Sequence, residues 1–305
     1  MLSKSMIGGI AIAASALYLW TTNKDKDEQE EKDENEDEQE EKKEKGEKER
    51  AVVKPIQSVK RLTRKALLIG NNYPKSSCPL NGCINDINDM ASHLKSRGWN
   101  ANEIELKTEA TKLATIFSLS SIASQSWIRN LDFVYVHYSG HGTQVADVNG
   151  DEAEDGLDEA ICPADFQTAG VITDDFMNSL CKMFNPRTKV RFVFDACHSG
   201  SCLDLPITHS TSKEKKTATT ITKNLKGNIT LLSGCMDSQT SADAVYAGRP
   251  QGALTAHLLQ ALKENPDASG LEVLDRVHTL FLNEHSPQYP LLSATEPVGD
   301  DAFIV

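Results

Sequence analysis

The chain lacks any cysteine pattern that would define a disulfide framework or a zinc site. Its seven cysteines are an odd number, and their spacings match neither class. This excludes the disulfide-rich secreted domains and the zinc-ribbon proteins, and it indicates a reducing compartment in which thiols stay free. Most of the cysteines are expected to be small buried core residues.

Basic charge is also scarce. The formal net charge is −12, with 32 Lys and Arg against 44 Asp and Glu. Asn23–Arg50 alone holds 15 acidic and 8 basic residues, a net of −7, which leaves −5 for the rest of the chain. Because nucleic-acid binding needs a basic face, this balance argues against a nucleic-acid partner.

Apolar runs that approach the length of a membrane span are missing except at the amino terminus. Met6–Trp20 is apolar and uncharged, at the short end for a spanning helix. Lys4 precedes it, and Tyr18 and Trp20 stand near its end, as interface anchors do. We therefore predict a membrane anchor. A cleavable signal peptide is the alternative, since Ala14–Ala16 resembles a cleavage site; a mitochondrial presequence is disfavoured by the lack of arginine.

The Glu- and Lys-rich segment after the anchor has no apolar stripe and cannot bury a core. We interpret it as a disordered stalk, with a solvated tail of no particular role as the alternative. The predicted boundaries are an anchor over 1–22, a stalk over 23–63 and a globular domain over 64–305. That domain divides into a large part over 64–202, a loop over 203–226 and a small part over 227–305.

The predicted location is a membrane, with the globular domain in the cytosol. A soluble cytoplasmic domain after stalk cleavage is one alternative, and a secretory or organellar protein is another if residues 1–16 are a signal. The few flanking lysines do not decide the topology.

Strand and helix patterns alternate through the globular part, which predicts an α/β fold with a mostly parallel sheet flanked by helices. Leu203–Lys226 is polar and non-periodic, hence a predicted loop. Predicted strands are Ala66–Gly70, Glu103–Lys107, Leu131–Tyr138, Val190–Asp195 and Ile229–Ser233. Predicted helices are Cys83–Arg97, Leu113–Trp127, Thr173–Phe184, Gly252–Leu262 and Leu271–Leu282.

Two of these strands are followed by small residues and by one residue with a reactive side chain. Val134–Tyr138 leads into His141, and Val190–Asp195 leads into Cys197. Parallel strands deliver such residues to one edge of the sheet, where ligands bind. A histidine base and a cysteine nucleophile there predict acyl transfer through a thioester.

Three histidines are candidates for the base. His137 lies inside an apolar strand and is expected to be packed, while His198 adjoins Cys197 and is expected to point away from it. His141, between two glycines just past a strand end, is the best candidate. Backbone amides near Gly142 and Cys197 are candidates for an oxyanion hole.

Acidic residues form two further groups. Asp86 and Asp195, if they meet near the thiol, would make an anionic pocket for a basic side chain. The run Asp147–Glu159 superficially resembles an EF-hand, but Glu152 replaces the required glycine and Asp158 the terminal glutamate. A solvated acidic loop is the plain interpretation. A calcium site of another type, built from Asp158, Asp174, Asp175 and Asp204, is the alternative.

Five ordered blocks of this sequence resemble the signatures of the metacaspases, and the resemblance extends from Lys65 to about Pro297. The blocks are Leu80–Asp86, His137–Gly142, Asp155–Ala160, Asp195–Gly200 and Gln239–Asp243. The resemblance implies a caspase-like fold and a cysteine endopeptidase, active as a monomer, that cuts proteins and peptides after Arg or Lys.

The resemblance also assigns residues to roles. It implies His141 and Cys197 as the catalytic dyad, and activation by calcium. The pocket for the basic side chain would be formed by Cys83, Asp86, Ser139 and Asp195. The calcium site would be formed by Asp158, Asp174, Asp175 and Asp204.

The chain departs from the family in its amino terminus, where an anchor and stalk replace the Pro/Gln-rich or zinc-finger prodomain of many type I members. It also lacks the long linker of type II members, so we interpret it as type I-like. Basic residues at two places suit self-cleavage, namely Lys54, Arg61 and Arg64 after the stalk and Lys213, Lys215, Lys216 and Lys223 in the predicted loop. The competing interpretations are a membrane-tethered scaffold on a caspase-like fold and a legumain-like peptidase, the latter disfavoured by the aspartates and the free thiols.

Overall fold

The computed structural model describes residues 61–147, 156–197, 202–217, 225–234, 243–246, 248–286 and 288–305. The predicted anchor and the stalk up to residue 60 lie outside these residues, as do His198 and most of the acidic run. None of the described helices is long and apolar enough to cross a membrane.

Five parallel strands make up one side of an eight-stranded central sheet. Side chains on both faces of β3 are buried, which explains its continuous apolar sequence. The strand order reverses between β1 and β3, so the carboxyl ends of these strands form the edge where α/β proteins bind ligands. In spatial order the strands are β2 (Ile104–Thr108), β1 (Arg64–Gly70), β3 (Phe133–Ser139), β7 (Lys189–Asp195) and β10 (Ile229–Ser233).

The other side of the sheet is antiparallel, so the predicted sheet is mixed, with five of its eight strands parallel. It consists of β13 (Leu291–Ala294), β8 (Ile207–His209) and β9 (Lys215–Thr217). The prediction of a loop over 203–226 was wrong at β8 and β9. Three-residue strands, one of them with the sequence Lys-Lys-Thr, are too short and polar to show a period in the sequence.

Helices cover both faces of the sheet, as the sequence predicted. One face packs against α2 (Lys112–Ile128) and α4 (Asp174–Cys181), the other against α1 (Cys83–Ser96), α5 (Ala253–Glu264) and α6 (Gly270–Asn283). A short helix, α3 (Phe166–Ala169), precedes α4.

Local sequence fixes where these helices begin. Thr111 accepts a hydrogen bond from the backbone N–H of Ala114 at the start of α2. Ser269 and Glu272 form a capping box at the start of α6. Thr173 occupies the N-cap position of α4, as predicted, but its side chain makes no capping bond.

Two small antiparallel sheets were missed by the sequence analysis. The first is built from β4 (Gly142–Ala146), β5 (Leu157–Ile161) and β6 (Ile172–Thr173). The second is a hairpin of β11 (Asp243–Tyr246) and β12 (Arg249–Gly252). Strand β5 corrects the expectation of a solvated acidic loop at its last residues, because Asp158 and Glu159 are buried.

Candidate active site

The pairing of β3 with β7 brings His141 and Cys197 together. Ser139 is the register partner of Asp195, and each strand continues two residues further to His141 or Cys197. Gly142 packs so closely on Cys197 that a Cβ at that position would overlap the Cys197 carbonyl oxygen. The backbones that carry His141 and Cys197 are therefore adjacent at the carboxyl edge of the sheet.

A backbone carbonyl orients the His141 ring. The Nε2 atom lies 2.7 Å from the carbonyl oxygen of Cys78, in the loop after β1. A carbonyl only accepts hydrogen bonds, so Nε2 carries the hydrogen of the neutral ring. The other nitrogen, Nδ1, is then the one able to accept a proton from a thiol.

Two buried tyrosines hold the backbone around His141. The His141 N–H donates to the Tyr73 hydroxyl at 2.9 Å, and the Tyr138 hydroxyl donates to the His141 carbonyl at 2.8 Å. The two hydroxyls lie 2.9 Å apart, and both also reach the carbonyl of Cys162. Gly140 leaves room for them, since a Cβ there would lie 2.6 Å from each hydroxyl. The Tyr73 ring also stacks on His141, with the ring centroids 4.6 Å apart.

Two buried carboxylates meet at the same edge of the sheet as Cys197. Asp86 and Asp195 both press on Gly252, where a Cβ would overlap either carboxylate. The Gly252 N–H donates to both oxygens of Asp86, at 3.0 and 3.1 Å, and Ser139 Oγ donates to Asp86 at 2.6 Å. Asp195 accepts from both the N–H and the hydroxyl of Thr255, each at 2.8 Å.

Three of the four residues predicted for the basic-residue pocket thus converge. The fourth, Cys83, is the first residue of α1 and lies one turn before Asp86, with its side chain buried. Asp86 and Asp195 are more than a hundred residues apart in the sequence. The packing of α1 against the sheet brings them together.

A chain of hydrogen bonds extends inward from Asp195. Thr255 gives its hydroxyl hydrogen to Asp195, so it must accept one from His137 Nε2, which lies 3.1 Å away. His137 Nδ1 then accepts from the Tyr135 hydroxyl at 3.1 Å. Burial lowers the pKa of His137 to about 3, so the ring is neutral at physiological pH. The prediction that His137 is a packed histidine is confirmed.

The predicted calcium ligands lie on one strand, one helix and one loop. Asp158 on β5, Asp174 at the start of α4 and Asp204 are buried, whereas Asp175 is partly exposed. Burial and the negative charges of Asp204 and Asp158 raise the pKa of Asp174 to about 8. Within the described residues, no group of three or more His, Cys, Asp or Glu side chains is placed to hold a metal ion. Asp174 therefore interacts electrostatically with Asp158 and Asp204, but the described side chains do not surround a position for a metal ion.

Sequence reasoning missed the residues that position the dyad and the carboxylates. Tyr73 follows β1 with a positive φ of 52°, and no motif marks it. Cys78 acts through its backbone carbonyl, which no sequence pattern marks. Thr255 and Gly252 lie 60 and 57 positions from Asp195, and only the fold brings them there.

An α/β sheet that brings a cysteine and a histidine to the ends of two adjacent parallel strands defines a class of cysteine peptidases. The family described as "Metacaspase, peptidase C14 domain" matches residues 64–206. The chain belongs to the metacaspases, and it is a cysteine peptidase.

Fungal relatives show how far the similarity extends. Metacaspase-1 of Ajellomyces capsulatus is 32% identical, over 79% of this chain and 82% of the relative. Metacaspase-1 of Mycosarcoma maydis is 31% identical, over 79% and 73%. Metacaspase-1A of Neosartorya fischeri is 32% identical over 77% of this chain, which spans 66% of that relative.

A solved structure supports the fold. The crystal structure of a structural-genomics protein from Geobacter sulfurreducens superimposes with a TM-score of 0.56 at 25% sequence identity. The match covers 80% of this chain and 99% of that protein.

We expect Gly142→Ala to fold and to lose activity. The added methyl must displace the Cys197 carbonyl, and a shift of about 1 Å in a reacting group costs roughly a hundredfold in rate. The measurement is kcat/KM on a fluorogenic peptide, with circular dichroism to check folding. Thr143→Ala, one residue further along β4, is the control, and equal activities of the two variants would contradict the packing argument.

We expect the wild-type protein to lose stability as the pH falls from the ordinary 6.5 of histidine towards about 3. In this window the unfolded chain binds a proton at His137 that the folded chain refuses, so acid favours unfolding. Urea unfolding of the wild type and of His137→Gln, from about pH 7 to about pH 4, measures this contribution. The variant should show a shallower acid loss, and parallel curves would show that His137 is not the group responsible.

Proposed function

We propose that this metacaspase is a calcium-dependent endopeptidase that cleaves after Arg or Lys through His141 and Cys197. The convergence of two buried carboxylates, Asp86 and Asp195, beside the thiol carries the proposal for the specificity. Asp195 stands only two residues before Cys197, so a side chain held by these carboxylates brings its own carbonyl near the nucleophile.

The reaction follows from the orientation of the dyad. His141 Nδ1 takes the proton of the Cys197 thiol, and the sulfur attacks the scissile carbonyl carbon. The peptide C–N bond then breaks, the leaving amine takes the proton from His141, and a thioester remains on Cys197. A water molecule, deprotonated by the same nitrogen, hydrolyses the thioester and restores the thiol. Backbone N–H groups near Gly142 and Cys197 are the candidates to stabilise the oxyanion.

The paired carboxylates favour a cation in the position before the cleaved bond. The planar guanidinium of arginine can donate to both of them, and the ammonium of lysine can pair with them as a point charge. A substrate aspartate would add a third negative charge in a buried setting, which is strongly unfavourable. Hydrogen bonds hold both carboxylates in place. Gly252 and Ser139 donate to Asp86, and Thr255 donates to Asp195.

We expect fluorogenic peptides with Arg or Lys before the cleaved bond to be hydrolysed, and those with Asp to be left intact. Cys197→Ala should abolish turnover. Asp86→Asn should lower kcat/KM on the Arg peptide roughly a hundredfold, because a buried guanidinium loses its charged partner. Glu105→Gln, on the edge strand β2, where Glu105 pairs with Lys107, is the matched control and should be neutral.

Two outcomes would contradict this proposal. Hydrolysis of the Asp peptide would show that the carboxylates do not select the substrate. A well-folded protein that cleaves none of the three peptides, with calcium present, would favour a scaffold function on the same fold.

Calcium is proposed from the chemistry of the aspartates. Carboxylate oxygens are the ligands that calcium prefers, and Asp158, Asp174, Asp175 and Asp204 would supply them. Buried carboxylates that repel each other are stabilised by a bound cation. The donor set therefore fits calcium, although its described residues do not form a finished cage. A bound ion would link β5, α4 and the loop that carries Asp204, and it takes no part in the chemical steps.

We expect calcium to raise the unfolding free energy, by about 2.7 kcal/mol at a hundred times its dissociation constant. Asp174→Asn should weaken this stabilisation, with calorimetric titration showing roughly tenfold weaker binding. Asp267→Asn, an exposed aspartate that pairs with Arg97, is the control. Equal calcium binding by all three proteins would remove Asp174 from the site.

Self-processing is proposed at exposed lysines. Lys213, Lys215 and Lys216 are exposed in the hairpin of β8 and β9. Arg64 is a poor candidate, because it begins β1, donates to the carbonyls of Val305 and Gly98, and stacks on Trp99. Lys54 and Lys223 lie outside the described residues.

A further inference from the structure

Helix α2 exposes large apolar side chains near both of its ends on one face, with serines between them. Leu113, Phe117, Trp127 and Ile128 are 78%, 72%, 52% and 68% exposed, and Ser124 lies between them on the same side. With 3.6 residues per turn these positions share one face about 100° wide. We call these four apolar side chains the α2 stripe.

The stripe is not the face by which α2 packs on the sheet. Leu119, Ile122 and Ala123 are buried against the sheet on the opposite side. No charged residue occurs between Lys112 and Arg129, so the solvent side lacks the charges that normally cover a surface helix. A helix whose exposed side carries several large apolar residues and no charge is expected to be covered on that side as well.

Trp127 is fixed in a way that suits a boundary between water and apolar surroundings. Its Nε1–H donates to the carbonyl of Met183 at 2.9 Å, so its polar atom is satisfied within the protein. The ring remains half exposed, and Met183, 45% exposed, extends the apolar surface beside it. Tryptophan is enriched at membrane interfaces for this combination of properties.

Cations stand at the ends of the stripe. Lys112 precedes it, Arg129 follows it, and Lys182 lies next to Met183. None of these three forms an ion pair with a described residue. An amphipathic helix that lies flat on a membrane shows this arrangement, with apolar side chains inserted and cations beside anionic headgroups.

The amino-terminal chain enters the domain beside the end of the stripe. Thr63 donates to the carbonyl of Asn130 at 2.9 Å, and its N–H donates to Asp132 at 2.9 Å, just past Ile128. Sixty residues precede the described chain, among them the apolar run Met6–Trp20. The predicted anchor is thus connected to the domain at this end of the stripe.

From these observations we propose that the α2 stripe docks on the interface of an anionic membrane, as a second contact beside the amino-terminal segment. A second copy of the chain is a poorer occupant of this surface. Pairing two α2 helices along the stripe would place Lys112 and Arg129 of one copy against cations of the other, in either orientation. Lipid phosphates, in contrast, neutralise these charges.

The test uses the fluorescence of Trp127 in the full chain. The sequence has three tryptophans, of which Trp99 is 3% exposed, so Trp20→Phe leaves Trp127 as the reporter. The protein is mixed with vesicles of phosphatidylcholine and phosphatidylserine whose acyl chains carry bromine. We expect a blue shift and quenching of Trp127, and weaker quenching with phosphatidylcholine alone.

Variants then separate docking from tethering. Leu113→Ser, Phe117→Ser and Ile128→Ser together should abolish the quenching, and Phe117→Ser alone should reduce it severalfold, since burial of one such side chain is worth about tenfold in partitioning. Leu106→Ser with Leu282→Ser, exposed apolar residues of other elements, is the matched control and should retain it. Circular dichroism confirms folding.

Several outcomes would overturn the proposal. Protein that co-sediments with vesicles while Trp127 stays unquenched would be tethered but not docked. Protein that does not bind vesicles at all would exclude a lipid surface. A concentration-dependent dimer that the serine substitutions dissociate would identify a second copy as the occupant.

Discussion

The register between β3 and β7 is the constraint on which the site depends. Ser139 pairs with Asp195, and His141 and Cys197 each follow that pair by two residues. A slip of one residue would turn the side chains of a strand to the opposite face. The register is held by burial, since Val136 and Tyr138 pack on one face with Phe192 and Phe194, while Tyr135 and Val193 pack on the other.

The same strand pair explains how two carboxylates are accommodated in the interior. Asp195 is 4% exposed and Asp86 is fully buried, and each accepts hydrogen bonds from groups that packing holds in place. The donors to Asp195 are backed by neutral His137, whose ring needs the Tyr135 hydroxyl to fix its tautomer. A carboxylate that such hydrogen bonds hold in one orientation can bind a substrate cation without rearranging. Tight recognition depends on pre-organisation of this kind.

The sequence predicted the features that repeat along the chain or stand next to each other in it. Sequence patterns identified the five parallel strands of the sheet, and the small residues after two of them identified His141 and Cys197. It did not predict β8, β9 and β13, because three- or four-residue strands depend on partners for their stability. Nor did it predict Tyr73, the carbonyl of Cys78 or Thr255, because contacts between distant segments have no local signal. For the acidic run, the sequence suggested a solvated loop or a calcium site, but it did not predict that Asp158 is buried. That burial follows from the pairing of Asp158 with Val145 across β4 and β5.

The direction of α2 relates the apolar stripe to the site. Strand β2 ends at the carboxyl edge, and α2 starts there, where Asn71 accepts a hydrogen bond from the Ala110 N–H, and runs back to the amino edge. The stripe is therefore parallel to the strands and lies on one flank of the sheet. A membrane against that flank would leave the carboxyl edge, with His141 and Cys197, facing along the bilayer. Docking in this orientation would leave the dyad open to substrates at the membrane surface.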